Sequence, residues 1–148
     1  MLQPIYVRKL TPKDANSVIY LENICFEYPL GEYTIHAYLN ATNNISIGAF
    51  EGEQLVGALL CNFDSHEGHI VLVAVHPNYR RRGIAKTLLH TIEKYALEKL
   101  TRHLRLEVNI ANTPAILLYR KLGYNAVSII NEYYENGDDA YLMIKQLL

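Results

Sequence analysis

The chain has 148 residues, half of them apolar, enough to bury a core of its own without disulfides or a structural metal, so one domain is expected over residues 1–148. Its 14 Lys and Arg are balanced by 15 Asp and Glu for a formal charge of −1, which argues against a broad basic face, and no nucleic-acid partner is expected. No apolar run reaches the length of a membrane span and the first residues carry charge and proline, so a soluble, cytoplasmic protein with no membrane partner is expected.

Residues 5–10, IYVRKL, alternate apolar and polar as a strand does, and Thr11, Pro12, Lys13 and Asp14 then supply a helix cap with proline at the first helical position. Pro29 and Gly31 break the following stretch before a short helical pattern from Tyr33 to Leu39. Two strands follow, joined at Glu51, Gly52 and Glu53 in a hairpin, and residues 64–68 make a second polar turn. HIVLVAV, residues 69–75, is apolar after its first residue and reads as a strand in mid-sheet covered on both faces. Beyond His76, Pro77 and Asn78, the residues Ile84, Leu88, Ile92 and Ala96 recur at the spacing of a long amphipathic helix that runs to about Leu100. HLRLEVNI, residues 103–110, sets Leu104, Leu106, Val108 and Ile110 against His103, Arg105, Glu107 and Asn109, a strand with one polar face. Strand, helix and strand in this order predict a parallel pair, with residues 80–83 at the carboxyl end of the central strand, where ligands favour binding. Thr113 and Pro114 read as N-cap and N1 of a short helix ending at Gly123, and the remainder reads as a hairpin of strands 125–134 and 139–147 around Asn136 and Gly137. Cys25 and Cys61 have neither the number nor the spacing of a disulfide framework or zinc site and are read as buried thiols.

The segment Arg80, Arg81, Arg82, Gly83, Ile84, Ala85 lies between a buried strand and a helix start, where unpaired backbone N–H groups and the positive end of the helix dipole favour an anion. Gly83 and Ala85 leave room for phosphates to approach the main chain, and Arg81, Arg82 and Lys86 add charge. The pattern is neither a Walker loop nor a dinucleotide fingerprint.

Arg80-x-x-Gly83-x-Ala85 has the form of the acetyl-CoA signature Q/R-x-x-G-x-G/A, and here the sequence resembles the GNAT family of N-acetyltransferases. AVHPNYRRRGIAKTLL and LEVNIANTPAILLYRKLGY resemble its RimI and Ard1 branch of protein N-terminal acetyltransferases, and NEYYENGDDAYLM is similar to archaeal members. The resemblance implies a mixed, mostly antiparallel twisted sheet of six to seven strands with a parallel central pair, flanked by about four helices. It implies that Val73, Ala74 and Val75 hold the pantetheine arm of acetyl-CoA through backbone groups, and that the turn from Arg80 or Arg81 through Arg82, Gly83, Ile84 and Ala85 to Lys86 cradles the pyrophosphate. By the same resemblance Asn112 and Tyr119 contact the cofactor; they stand seven apart, on one helical face if the helix is regular.

The implied reaction is direct attack of an amine on the thioester through a tetrahedral intermediate. An α-amino group of pKa about 8 supplies the unprotonated nucleophile more readily than a lysine near 10.4, which favours polypeptide N-termini as acceptors. Glu107, on the polar face of its strand, is assigned as general base, His69 as a polar partner that shares a water with it, and Tyr119 as the acid for the departing thiolate. Leu30, Glu32, Tyr33, Tyr133 and Tyr134 correspond to the family's substrate loops and are assigned to the peptide. No required metal is expected, since His69 and Glu107 are too few ligands, and a monomer or weak homodimer is expected. A small-molecule amine acetyltransferase and a non-catalytic acyl-CoA-binding module are the alternative readings; the Glu107 and Tyr119 pair argues against the second, because binding alone needs neither.

Overall fold

A computed structural model describes residues 3–148; Met1 and Leu2, which the expected domain includes, lie outside the described residues. The chain runs β1 (Ile5–Lys9), a 3-10 turn (Pro12–Asp14), α1 (Ala15–Cys25), α2 (Glu32–Asn40), β2 (Asn44–Glu51), β3 (Gln54–Asp64) and β4 (Glu67–Val75). A second 3-10 turn (Pro77–Tyr79), α3 (Ile84–Glu98), β5 (His103–Asn109), α4 (Thr113–Lys121), β6 (Asn125–Ile130) and β7 (Ala140–Gln146) follow. The seven strands form a single sheet in the order β1-β2-β3-β4-β5-β7-β6. Every pairing is antiparallel except β4 with β5, and the expected mixed sheet with four α-helices is found.

Two apolar cores lie on the two sheet faces. On one, α3 packs Ile84, Leu88, Leu89, Ile92 and Ala96 with Leu104, Leu106 and Val108 of β5. On the other, Ala15, Val18 and Leu21 of α1 and Ile35 and Leu39 of α2 pack with Leu60, Leu72 and Ala74. A Cβ at Gly57 would come within 2.8 Å of Ile84 Cγ2, so the missing side chain lets the first turn of α3 settle on the sheet beside the end of β4.

Two irregularities open the middle of the sheet. The β3–β4 register passes from Leu60 opposite Leu72 to Cys61 opposite Ile70, which makes Val71 a bulge residue, and a bulge bends its strand and raises the local twist. Across it the core-facing side changes: Ile70 packs in the α3 core, whereas Leu72 and Ala74 pack in the α1–α2 core. The parallel pairing is limited to Glu67–His69 against His103–Arg105. Beyond that point β4 and β5 part, so the expectation of a strand covered on both faces needs correction: Val71, Val73 and Val75 are only half-buried, because the strand's carboxyl half borders a gap.

Two boundaries and the burial of one cysteine differ from the sequence reading. The N-cap of α4 is Asn112 rather than Thr113, its side-chain Oδ1 accepting from Ala115 N at 3.3 Å. Strand β6 ends at Ile130 rather than Tyr134, because the next nine residues are folded on themselves and on β5: Glu132 N–H donates to Asp139 Oδ1, Tyr134 N–H to the Asp138 carbonyl and Ile110 N–H to the Asp139 carbonyl. Cys61 is fully buried as expected, but Cys25 is only partly so, its thiol donating to the Val75 carbonyl at 3.4 Å.

Candidate active site

The gap between β4 and β5 opens into a cavity of about 540 Å3. Its walls are the main strands from His69 to Val73 and from Glu107 to Asn109, the cap and middle of α4 at Asn112 and Tyr119, the α1–α2 loop from Phe26 to Leu30, and Tyr133, Tyr134, Asn136 and Asp138 of the β6–β7 loop.

On the floor, alternation along β5 turns Glu107 toward His69 of β4. The imidazole Nε2 lies 2.7 and 2.9 Å from the two carboxylate oxygens, in direct contact. Tyr133 O–H donates to Glu107 Oε1 at 3.3 Å, and Arg105 Nη1 stands 3.5 Å from the same oxygen. Arg105 is itself held by Glu67, which also accepts from His103 Nε2 at 3.0 Å. Burial alone would raise the Glu67 carboxyl, but the bonds to Arg105 and His103 hold it below its ordinary value. The polar face of β5 is therefore a continuous run of charge ending at a carboxylate with an 8% exposed side chain. A carboxylate so placed can accept a proton from a ligand in the cavity, and the imidazole beside it can carry that proton on.

Tyr119 lies across the cavity, its ring edge-on to Tyr124 at 5.9 Å. Burial, with a smaller contribution from Tyr134, pushes its phenol up to about 12. The ring holds its proton throughout the neutral range, and outright transfer to a thiolate runs uphill against an ordinary thiol near 8.5. A role for Tyr119 as acid therefore requires the phenol within reach of the sulfur and help from the local field. Tyr134 is likewise raised to about 12 by burial, Tyr133, Glu107 and Asp138.

The turn after β4 has the conformation an anion needs. Arg81 and Gly83 have φ of 64° and 78°, and the first α3 bond runs from Thr87 N–H to the Gly83 carbonyl at 3.0 Å, which leaves the first-turn amides of Ile84, Ala85 and Lys86 without helical partners. A side chain at Gly83 would meet no protein atom within 4 Å, so the glycine preserves open space over those amides. Not all the arginines are free: Arg80 Nε donates to the Val75 carbonyl at 3.2 Å and the Arg82 guanidinium sits 5.0 Å over the Tyr79 ring. Of the residues assigned to the pantetheine arm, Val73 borders the cavity while Ala74 is buried in the sheet and Val75 lies at its end.

The peptide assignments divide. Leu30, Tyr133 and Tyr134 line the cavity. Glu32 and Tyr33 do not: they begin α2, and Tyr33 is 88% exposed, because the helix turns these positions away once Gly31 has set its start at φ 96°.

Sequence reasoning missed Glu22. It is 1% exposed on the apolar stripe of α1, and its carboxylate accepts the backbone N–H of Leu30 and, at 3.2 Å, of Gly31. A charged residue in step with Ala15, Val18 and Leu21 was the available signal, since a buried carboxylate demands donors. Burial pushes its carboxyl up, against the pull of those two N–H groups. Glu22→Ala leaves both amides unsatisfied and frees the α1–α2 loop. It is expected to lower stability by about 2–3 kcal/mol, read from denaturant midpoints, and to raise the KM of a peptide acceptor more than that of acetyl-CoA.

Comparison with known proteins identifies the family and the fold. The sequence pattern of the Acetyltransferase (GNAT) family matches residues 15–124. The chain is 33% identical to an uncharacterized N-acetyltransferase of Methanocaldococcus jannaschii over 95% of its own length and 90% of that protein's. It is 43% identical over 82 residues to an N-alpha-acetyltransferase of Saccharolobus solfataricus, covering 55% of this chain and 49% of that one; it thus spans about half the length of that relative. Its fold matches the ribosomal-protein-S18-alanine N-acetyltransferase of Escherichia coli with a TM-score of 0.91 at 23% identity, over 97% of this chain and 94% of that one.

Proposed function

The chain belongs to the acetyltransferase (GNAT) family, and on that footing we propose that it acetylates the α-amino group of polypeptide N-termini, residues 1–148 acting as one catalytic domain. The observation that carries the reading is the Glu107–His69 pair at the floor of a cavity of about 540 Å3 walled by the α1–α2 and β6–β7 loops. The N-alpha-acetyltransferase and ribosomal-protein acetyltransferase names of similar proteins support it.

The residues present fit acetyl-CoA. The N–H groups of Ile84, Ala85 and Lys86, under the open space at Gly83 and beside Arg81, would hold its diphosphate, and the parted edge of β4 at Val73 would receive the pantetheine arm. Bound there, acetyl-CoA supplies the thioester carbon that the amine attacks. Glu107 takes the proton the amine sheds, His69 and Arg105 hold that carboxylate in place, and Tyr119 offers its phenol O–H toward the sulfur. Asn112 is engaged in capping α4 and contributes by fixing the helix that carries Tyr119.

Incubation with radiolabelled acetyl-CoA and matched peptides bearing free α-amines, blocked α-amines with free lysines, or with polyamines, tests the reading. Label is expected on free α-amines. Label confined to lysine or polyamine selects a different amine acceptor, and coenzyme binding without transfer to any amine selects a binding module.

A further inference from the structure

The cavity that would receive the acceptor has an uneven charge. Among the described residues no Lys or Arg lines it, and its only basic group, His69, is engaged with Glu107. Two of its carboxylates are spoken for, Glu107 by His69, Arg105 and Tyr133, and Glu22 by the amides of Leu30 and Gly31. The rim is different. Glu27, on the α1–α2 loop, is bonded only by the neutral phenol of its neighbour Tyr28, and neither it nor Glu135, beside the opposite wall, is in an ion pair among the described residues. Asp138 is bound only by neutral amides, from Asn109 at 2.8 Å and Asn136 at 3.0 Å.

We infer that the mouth selects polypeptide N-termini by charge, favouring Lys or Arg and disfavouring Asp or Glu at the second and third residues, through the joint field of Glu27, Glu135 and Asp138. The inference rests on the N-terminal acceptor reading and names the class of N-terminus within it. With the amine at Glu107, the residues that follow it leave between the two loops, at about 3.3 Å per extended residue. They pass carboxylates contributed from both sides. The two sides border one space, since Glu27, Tyr28 and Asp138 line the same cavity, and the Tyr28 phenol is raised first by Glu27, with Glu135 and Asp138 adding to it. Asp138 stays ionised, since Asn109 and Asn136 hold it below its ordinary value.

Arg81 and Arg82 before α3, and Lys86 in its first turn, carry the reverse sign. A polyanionic coenzyme is drawn to that turn and repelled from the mouth, while an ammonium-bearing chain is drawn to the mouth.

The test uses ten-residue synthetic peptides identical except for Lys, Gln or Glu at the second position. On the unmodified protein, kcat/KM for the Lys peptide is expected to exceed that for the Glu peptide about tenfold at low salt and about threefold near 0.15 M, where screening shortens the reach of exposed charges to about 8 Å. Glu27→Lys with Glu135→Lys is expected to erase or reverse the ratio between the Lys and Glu peptides. Glu135→Lys alone, on the outer loop, gives a partial loss of the ratio if the double variant folds poorly. Equal kcat/KM for Lys and Glu peptides at low salt, or a ratio unmoved by Glu135→Lys, overturns the inference while leaving the acceptor reading intact. Failure to turn over any of the three peptides overturns both.

Discussion

The Glu107→Gln protein is expected to lose about 10²- to 10⁴-fold in kcat, the range associated with removing a positioned general base, while its affinity for acetyl-CoA stays within about twofold of the parent. The substitution keeps shape and removes basicity. An amide in the same place still accepts from Tyr133 and still meets His69, whose ring nitrogens exchange donor and acceptor roles with tautomer. None of the turn from Arg80 to Lys86 lies against it: the coenzyme end of the site is reached through β4, the proton-accepting end through β5. The deficit is expected to narrow as pH rises past about 8, where free α-amine and solvent base become plentiful. Stopped-time transfer assays across pH, paired with calorimetric titration of coenzyme, check both halves. Equal losses in turnover and coenzyme affinity would show a structural role for Glu107, and undiminished turnover would remove it from the reaction. His69→Gln in the same background tests the pair as a unit. If the imidazole acts only through the carboxylate, the double variant is expected to be little worse than Glu107→Gln alone.

Local period carried much of this site into the sequence. The alternation that sets Leu104, Leu106 and Val108 against Arg105 and Glu107 is a property of one strand and survives folding unchanged. The helix of Ile84, Leu88, Ile92 and Ala96 and the anion-ready turn before it are equally local. What the sequence did not disclose depends on partners distant along the chain. The bulge at Val71 hides in HIVLVAV because a uniformly apolar run has no parity to lose, yet it decides which core each side chain joins. The insertion of β7 between β5 and β6 is a pairing of strands not adjacent along the chain, invisible to any window. The same insertion brings the β6–β7 loop over the end of β5, where Asn109 binds Asp138 and Tyr133 reaches Glu107. Tyr133 was assigned to the peptide on resemblance; its bond to the carboxylate is a consequence of that topology. Arg80 was assigned to the phosphates on resemblance; its Nε also ties off the carboxyl end of β4, since the Val75 carbonyl has no β5 partner where the sheet parts.

Gly83→Val is the substitution expected to damage coenzyme binding most. At φ 78° and ψ 12° a β-branched residue is strained, and the backbone cost is about 1–3 kcal/mol. No steric cost inside the protein adds to it, since a Cβ there meets no atom within 4 Å. On the proposed reading that space holds the diphosphate against the N–H groups of Ile84, Ala85 and Lys86, and valine methyls there would displace it. Coenzyme affinity is expected to fall at least about 100-fold, or about 2.8 kcal/mol at 1.4 kcal/mol per tenfold. Gly137→Val supplies the comparison. Gly137 has φ 89° and equally open surroundings but sits on the β6–β7 loop, so it is expected to cost similar stability and leave coenzyme affinity unchanged. Denaturant midpoints and calorimetric titration with coenzyme A, run on both variants, separate the two contributions: a shared loss of stability measures the left-handed backbone, and the difference in affinity measures what Gly83 keeps clear. Coenzyme bound by Gly83→Val as tightly as by the parent would mean that the diphosphate lies elsewhere, and that the amides at the head of α3 serve only the helix.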